Sequence, residues 1–249
     1  MQTAIQSLRT TAENDDLFAR RLGLFIHWGL YAIPGYHEQH QQRLGVSRAE
    51  YGKLASQFDP QCFDPDQWAL LAKQAGLDYL ILTTKHHDGF CLWNTQATDF
   101  CVRNTPSPCD IVEKVAAACA RHGLRFGVYY SCVDWHHPNY PNQGRHHELK
   151  EPQPGDQPDM SRYLDFVRAQ IRELCDGRYG KISMFWWDMN VPEHQDESIN
   201  QLIKELQPDC LINNRGYGEG DFSTPEREWD TNHAWQRFEK KVEACNSLD

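Results

Sequence analysis

Strand-length runs of apolar residues alternate along this chain with segments whose apolar positions recur at helical spacing, from residue 22 onward. That alternation predicts successive β/α units laid into a parallel sheet. Residues 22–28 (LGLFIHW) are expected as the first strand, and 65–75 (PDQWALLAKQA) as the helix leading to the second. Asp64 fits the N-cap of that helix, because a short oxygen-bearing side chain satisfies an unpaired amide there, and Gly76 falls just past its end. Residues 78–86 (DYLILTTKH) form a nearly continuous apolar run, the pattern of a parallel strand covered on both faces. A helix over 110–121 (DIVEKVAAACAR) stops at Gly123, and 125–132 make the third strand. Over 161–174 the apolar residues Leu164, Val167, Ile171 and Leu174 fall at spacings of three, four and three, one face of a helix. Residues 182–188 (ISMFWWD), 198–206 and 210–215 (CLINNR) then read as strand, helix and strand.

Beyond Arg215 the regularity fails: 216–220 is turn-rich, 221–232 reads as a polar loop, and 242–245 is expected to begin a sixth strand. About six strands account for every strand-length run, short of the eight that close a parallel barrel. The expected fold is therefore α/β, a β/α (TIM-like) barrel that is incomplete, with residues 1–249 as one domain and no linker marking off a second. An open sheet edge invites pairing with another chain, so the expected alternatives are a homo-oligomer through that edge, low stability, or capping of the opening by 229–249. Five prolines in 138–158, among glycines and charges, predict a long loop after the third strand, and such loops in compact domains tend to carry function.

Composition narrows the function classes. Aromatic residues make up 12% of the 249 positions, enough for a ring-lined cleft as well as a core. With 25 Lys and Arg against 35 Asp and Glu, the formal charge of −10 argues against nucleic acid, which needs a basic footprint. No apolar run approaches the ~18 to 20 residues of a membrane span. Residues 1–21 lack the apolar centre of a signal peptide, so a cytoplasmic location is the expectation, with a secreted or periplasmic one if a leader has been removed. The nine cysteines include no CxxC pair and are expected to be reduced and mostly buried.

Polar and ring residues collect where the strands end: His27 and Trp28, His86 to Asp88, Tyr129 and Tyr130, Asp134 to His137, Trp187 and Asp188, and Asn213 to Arg215. In parallel β/α architectures ligands bind at that edge. Asp188 closes the apolar run ISMFWW, where a carboxylate is costly to desolvate without a purpose. An N-cap role is disfavoured because Asn190, Val191 and Pro192 intervene before the next helix. A retaining glycosidase needs such a carboxylate as nucleophile and a second carboxyl as acid and base, which the loop after the fifth strand can supply. His86, His87 and Asp88 make a poor metal triplet, since adjacent strand residues point to opposite faces.

The motifs FIHWG at 25–29, TTKHHDGFCLW at 83–93, GVYYS at 127–131, WWDM at 186–189, INNR at 212–215 and DFSTPE at 221–226 resemble, in order, those of the retaining α-L-fucosidase family of glycoside hydrolases. The similarity covers about residues 22–226. It implies release of terminal α-linked L-fucose from a fucosylated glycan or small fucoside on a β/α barrel, without metal or cofactor. By this resemblance His27, His86 and His87 bind fucose hydroxyls, Asp188 is the nucleophile, Tyr130 is the tyrosine of GVYYS, and Arg215 lies near the acid/base. Glu226 matches the acid/base of one branch of the family, with Glu219, Asp221 and Glu228 as neighbours. Imidazoles suit this task, since each can donate or accept at neutral pH. The C6 methyl of a deoxy sugar calls for an apolar contact, expected from Phe25, Trp93 and Trp187. His136 and His137 are expected as solvated loop residues. The chain departs from the family in two places. It carries His37, Glu38 and Gln39 where the family often has Glu-Trp or Tyr-Trp, and it stops at EACNSLD where the family continues toward its last strands and, commonly, a β-sandwich. A weak or inactive fucose-binding protein derived from such a barrel is the alternative to an enzyme.

Overall fold

A computed structural model describes residues 22–225 and 241–245. Five strands, β1 (Gly23–Ile26), β2 (Tyr79–Lys85), β3 (Arg125–Ser131), β4 (Ile182–Asp188) and β5 (Leu211–Ile212), form one parallel sheet in chain order. The connections carry the helices α1 (Pro65–Gln74), α2 (Ile111–His122), α3 (Met160–Cys175) and α4 (Glu197–Leu206). All four begin the same way. Asp64, Asp110, Asp159 and Asp196 stand at the N-caps and accept the amides of Gln67, Glu113, Arg162 and Ser198, satisfying donors that a helix start leaves unpaired.

Alternation along the strands sorts side chains into two layers. Leu80, Leu82, Val128, Tyr130, Phe185, Trp187 and Ile212 face outward into the layer shared with the helices. Ile81, Tyr129, Met184, Trp186 and Leu211, joined by Phe25 and Tyr79, pack on the other side. There the ring of Phe25 on β1 meets that of Trp186 on β4 at 5.0 Å, so the sheet curls into an open β/α barrel. Gly127 permits the curl: a Cβ there would lie 3.1 Å from both Ile81 and Met184.

The strand count differs from the expected six. After β5, Phe222–Ser223 (β6) and Lys241–Val242 (β7) form a separate parallel pair, linked to the main sheet by a parallel bridge between Asn213 and Phe222. β6 falls where the sequence predicts a polar loop, because two residues are too short to show alternation, yet Phe222 is fully buried in the inner cluster. Glu243, beside β7, reaches across the interior to Tyr79 Oη (2.5 Å) and Trp186 Nε1 (2.7 Å). Among the described residues no helix is long and apolar enough to cross a membrane. All nine cysteines are free thiols, and six of them are buried.

Candidate active site

The C-terminal end of β4 sets the centre of the site. Asp188 is 14% exposed at its side chain, and the next residue, Met189, has the left-handed φ of 61° that non-glycine residues rarely adopt. This turn lets the Met189 amide donate to Asp188 Oδ1 at 3.0 Å. Arg215, beyond β5, brings a guanidinium nitrogen to 3.3 Å from the same oxygen while its Cζ lies 5.1 Å from the Trp186 ring centroid. Tyr129 on β3 donates its hydroxyl to Oδ2 at 2.7 Å. Burial, then the charge of Asp188, pushes the Tyr129 phenol well above its usual range, so it keeps the proton it donates.

The imidazoles come from the end of β2. A register shift between Thr83 and Lys85 and a turn through Gly89 (φ 78°) interrupt strict alternation there. As a result the His86 and His87 rings lie side by side at 4.1 Å, although alternation predicted opposite faces. Gly89 is required twice over, since a Cβ would fall 2.5 Å from Asp134 Oδ1. His27, at the end of β1, stands 5.7 Å from His86 and 5.5 Å from Tyr129, ring to ring. Burial, followed by neighbouring imidazoles, holds both His86 and His87 well below the usual histidine range, so both are neutral at pH 7.

Hydrogen bonds decide which nitrogen of His87 accepts. The Ser131 hydroxyl donates to Val133 O at 2.7 Å, so in its 2.6 Å contact with His87 it is the acceptor and Nδ1 the donor. Nε2 therefore presents a lone pair, 3.9 Å from Asp188 Oδ2. His86 Nδ1 is buried and has no partner among the described residues, the state of a polar atom that a ligand hydroxyl or water completes. Behind the pair, Lys85 Nζ meets Asp134 Oδ2 at 2.8 Å, with side chains 0% and 2% exposed. Asp134 in turn accepts the amides of His136 and His137. Asp88 faces away and accepts from Tyr51 Oη at 2.7 Å; burial pushes its carboxyl up to about 6.

The structure brings together His27, His86, His87, Asp188, Arg215 and Phe25, and it places three expected substrate residues elsewhere. Tyr130 points outward and donates to Gln170 Oε1 at 2.6 Å; the pocket tyrosine is Tyr129. Trp187 lies in the outer layer, with its indole on Asn200 Oδ1 at 3.0 Å, and the inward tryptophan is Trp186. Trp93 is fully buried, bound to Glu173 Oε2 at 3.0 Å. For Tyr130 and Trp187 the pleat is the cause, since the neighbour of an inward strand residue faces the helices, while Trp93 lies beyond the end of β2. Counting back by two from Asp188 would have selected Trp186. His136 is stacked on Phe100 at 3.8 Å and half-buried, unlike the solvated loop residue expected. Glu226 and Glu228 lie outside the described residues. Glu219 is exposed, with its backbone amide donating to Glu197 on α4, and the Asp221 carboxylate pairs with Lys204.

The strand ends of this β/α barrel thus gather a carboxylate, its tyrosine and arginine partners and a group of imidazoles at one edge. Comparison with known proteins identifies the family. Residues 2–249 match the family model described as alpha-L-fucosidase. The chain is 32% identical over 137 residues to tissue alpha-L-fucosidase of Mus musculus, covering 48% of this chain and 30% of that protein. It is 27% identical over 201 residues to the alpha-L-fucosidase of Dictyostelium discoideum, covering 67% of this chain and 42% of that one. It thus spans less than half the length of these relatives. Among solved structures, alpha-L-fucosidase isoenzyme 1 from Paenibacillus thiaminolyticus superposes with a TM-score of 0.79 at 38% identity, over 85% of this chain and 54% of that one. Alpha-L-fucosidase AlfC from Lactobacillus casei, in complex with α-L-fucose product, gives 0.75 at 34% identity, over 84% and 72%. The chain belongs to the alpha-L-fucosidase family.

Proposed function

We propose that this chain releases terminal α-linked L-fucose by a retaining double displacement, with Asp188 as nucleophile. The observation that carries the reading is the Asp188 carboxylate, held by Tyr129 and Arg215 beside His27, His86 and His87. A point mutant of AlfC has been solved with Fuca(1,6)GlcNAc and with 4-nitrophenyl-a-L-fucopyranoside, which supports fucosylated glycans and small fucosides as the substrate class.

In the first half-reaction a carboxylate oxygen of Asp188 bonds to the anomeric carbon as the glycosidic C–O bond breaks. The bonding electrons leave on the aglycone oxygen, which takes a proton from the acid, assigned by the DFSTPE motif to Glu226. In the second half, water gives its proton to the same residue, its oxygen bonds to the anomeric carbon, and Asp188 departs as carboxylate. Two inversions retain configuration. Arg215 and Tyr129 stabilise the charge that returns to Asp188, His87 Nε2 accepts from a sugar hydroxyl, and the rings of Phe25 and Trp186 offer the C6 methyl an apolar wall.

The test is turnover of 4-nitrophenyl α-L-fucoside by the purified chain, with the first-formed fucose anomer read by proton NMR. Initial release of the α anomer that disappears in Asp188→Asn supports the reading. Saturable fucose binding without turnover would select the binding-protein alternative, and initial release of the β anomer would exclude double displacement.

A further inference from the structure

We propose that Asn213, just beyond β5, is a positioning residue for the nucleophile: its side-chain amide pairs with both backbone groups of Trp187 and so fixes the strand end from which Asp188 projects. This inference rests on Asp188 being the nucleophile of a fucosidase.

Backbone pairing supports the reacting carboxylate unequally from its two sides. β3 pairs with β4 from Ile182 to Asp188, and the Cys132 amide donates to the Asp188 carbonyl at 2.8 Å. β5 spans two residues, paired with Met184 and Phe185. Successive residues of a strand turn their backbone groups to alternate sides, so Asp188 serves β3 while Trp187 faces the side of β5. Asn213 takes the place of a longer β5 there. Its Oδ1 accepts from the Trp187 amide at 2.8 Å, and its Nδ2 donates to the Trp187 carbonyl at 2.9 Å. A carboxamide carries a donor and an acceptor side by side, the pair a strand backbone offers. Its orientation is fixed as well, because a flip would set NH2 against an amide and oxygen against a carbonyl.

The surroundings are built around this clamp. Asn213 is fully buried, its main-chain amide donates to the Phe185 carbonyl at 3.4 Å, and a Cβ on Gly220 would overlap its carbonyl group. Nδ2 also lies 3.4 Å from Thr224 Oγ1, in the segment that Phe222 joins to Asn213 by a parallel bridge. Two residues on, Arg215 reaches Asp188 Oδ1 at 3.3 Å, so one clamp sets the spacing of the nucleophile and its cation. Trp187 is also held by its ring, through the indole bond to Asn200 Oδ1 on α4 at 3.0 Å. Asn200 grips the side chain in the outer layer, whereas Asn213 grips the backbone that carries Asp188. Displacing a reacting group by about 1 Å costs on the order of a hundredfold in rate. His27 and His86 come from the ends of β1 and β2, so sugar binding does not depend on this clamp.

The experiment measures kcat and KM for 4-nitrophenyl α-L-fucoside, Ki for L-fucose and the melting temperature of the wild type, Asn213→Ala, Asn213→Ser and Asn200→Ala, each assayed at a temperature where circular dichroism shows it folded. Asn213→Ser keeps a hydroxyl in the buried space and is the milder variant should Asn213→Ala not fold. The Asn213 variants are expected to lose at least about tenfold in kcat with the fucose Ki within about threefold of wild type. Asn200→Ala should lower the melting temperature and leave kcat within about threefold. Wild-type kcat in a folded Asn213 variant would overturn the proposal and leave the fucosidase reading intact. Parallel loss of kcat and fucose binding, or an equal loss of kcat in Asn200→Ala, would make Asn213 merely structural and overturn it too. A wild-type chain without turnover, or full turnover by Asp188→Asn, overturns both.

Discussion

The Tyr129 hydroxyl donates to Asp188 Oδ2 at 2.7 Å, whereas the Tyr130 hydroxyl, one residue on, donates to Gln170 in the helix-facing layer. Their phenylalanine variants are therefore expected to fail differently. A bond to a charged acceptor contributes ~1.5 to 3 kcal/mol, so Tyr129→Phe should lower kcat/KM roughly ten- to a hundredfold with little change in melting temperature. Tyr130→Phe should cost about 1 kcal/mol in urea unfolding and leave kcat/KM within about threefold. Interchanged results would return the role to Tyr130. Asp188→Asn should reduce turnover by about four orders of magnitude, since the neutral amide cannot form the glycosyl intermediate. Activity within about tenfold of wild type would remove Asp188 from the mechanism. For Glu226→Ala the expected signature is loss mainly with poor leaving groups and rescue by azide. Unchanged relative rates would move the acid/base elsewhere.

At the scale of the element, the ends of β2 and β3 and the turns after them hold several titrating groups whose effects on stability oppose one another. Burial lowers His86, His87 and His137, and brings His136 to about 4. Between these folded values and the unfolded value near ~6.5 the unfolded chain binds more protons, so stability falls as pH drops below ~6.5. Asp88 has the opposite sign. With its carboxyl raised to about 6 from 3.8, the folded chain binds more protons in that interval, which favours folding as pH falls through it. The imidazoles outnumber it, so thermal melts should shift downward from pH 7 to 5, and more steeply in Asp88→Asn. Equal slopes would show that Asp88 does not titrate there. The buried Lys85–Asp134 pair joins the same two strand ends. Lys85→Met strands a carboxylate in the interior and should cost ~3 to 5 kcal/mol in urea unfolding, while a loss under 1 kcal/mol would mean that Asp134 finds another cation or water.

Across the whole molecule, strands distant in sequence are held together through the barrel interior. Phe25 and Trp186 join β1 to β4, and the Glu243 carboxylate accepts from Tyr79 on β2 and Trp186 on β4. Burial raises the Glu243 carboxyl above its usual range, while the two donors pull it down. Trp186 stacks on Tyr129 at 5.7 Å and lies beneath Arg215, so this residue links the interior to the partners of Asp188. Glu243→Gln offers one acceptor and an NH2 where two donors converge, and it should cost ~1 to 3 kcal/mol in thermal unfolding. An unchanged melt would show that residues 241–245 do not help hold the barrel together.

The amino-acid sequence by itself determined what local chemistry controls. Apolar runs, with a cap such as Asp64, defined β1 to β4 and helices α1 to α4 to within a residue or two, because helix starts and buried strands are satisfied by near neighbours in the chain, while β5 ends three residues before the expected Arg215. The end of ISMFWW marked Asp188, and the KHHDGF and HWG motifs marked the histidines. Tertiary structure alone decided which way the β3 and β4 side chains face, since that depends on the side against which the helices pack: Tyr129 and Trp186 turn inward, while Tyr130 and Trp187 turn outward. It also decided the pairing of His86 with His87, through a turn that only Gly89 can make beside Asp134. It alone brought His147 to His87, sixty residues away in the chain, through Trp135 and Gln39. Contacts of that kind leave no periodic trace, because they are fixed by which loops the closing sheet brings together rather than by any residue's neighbours.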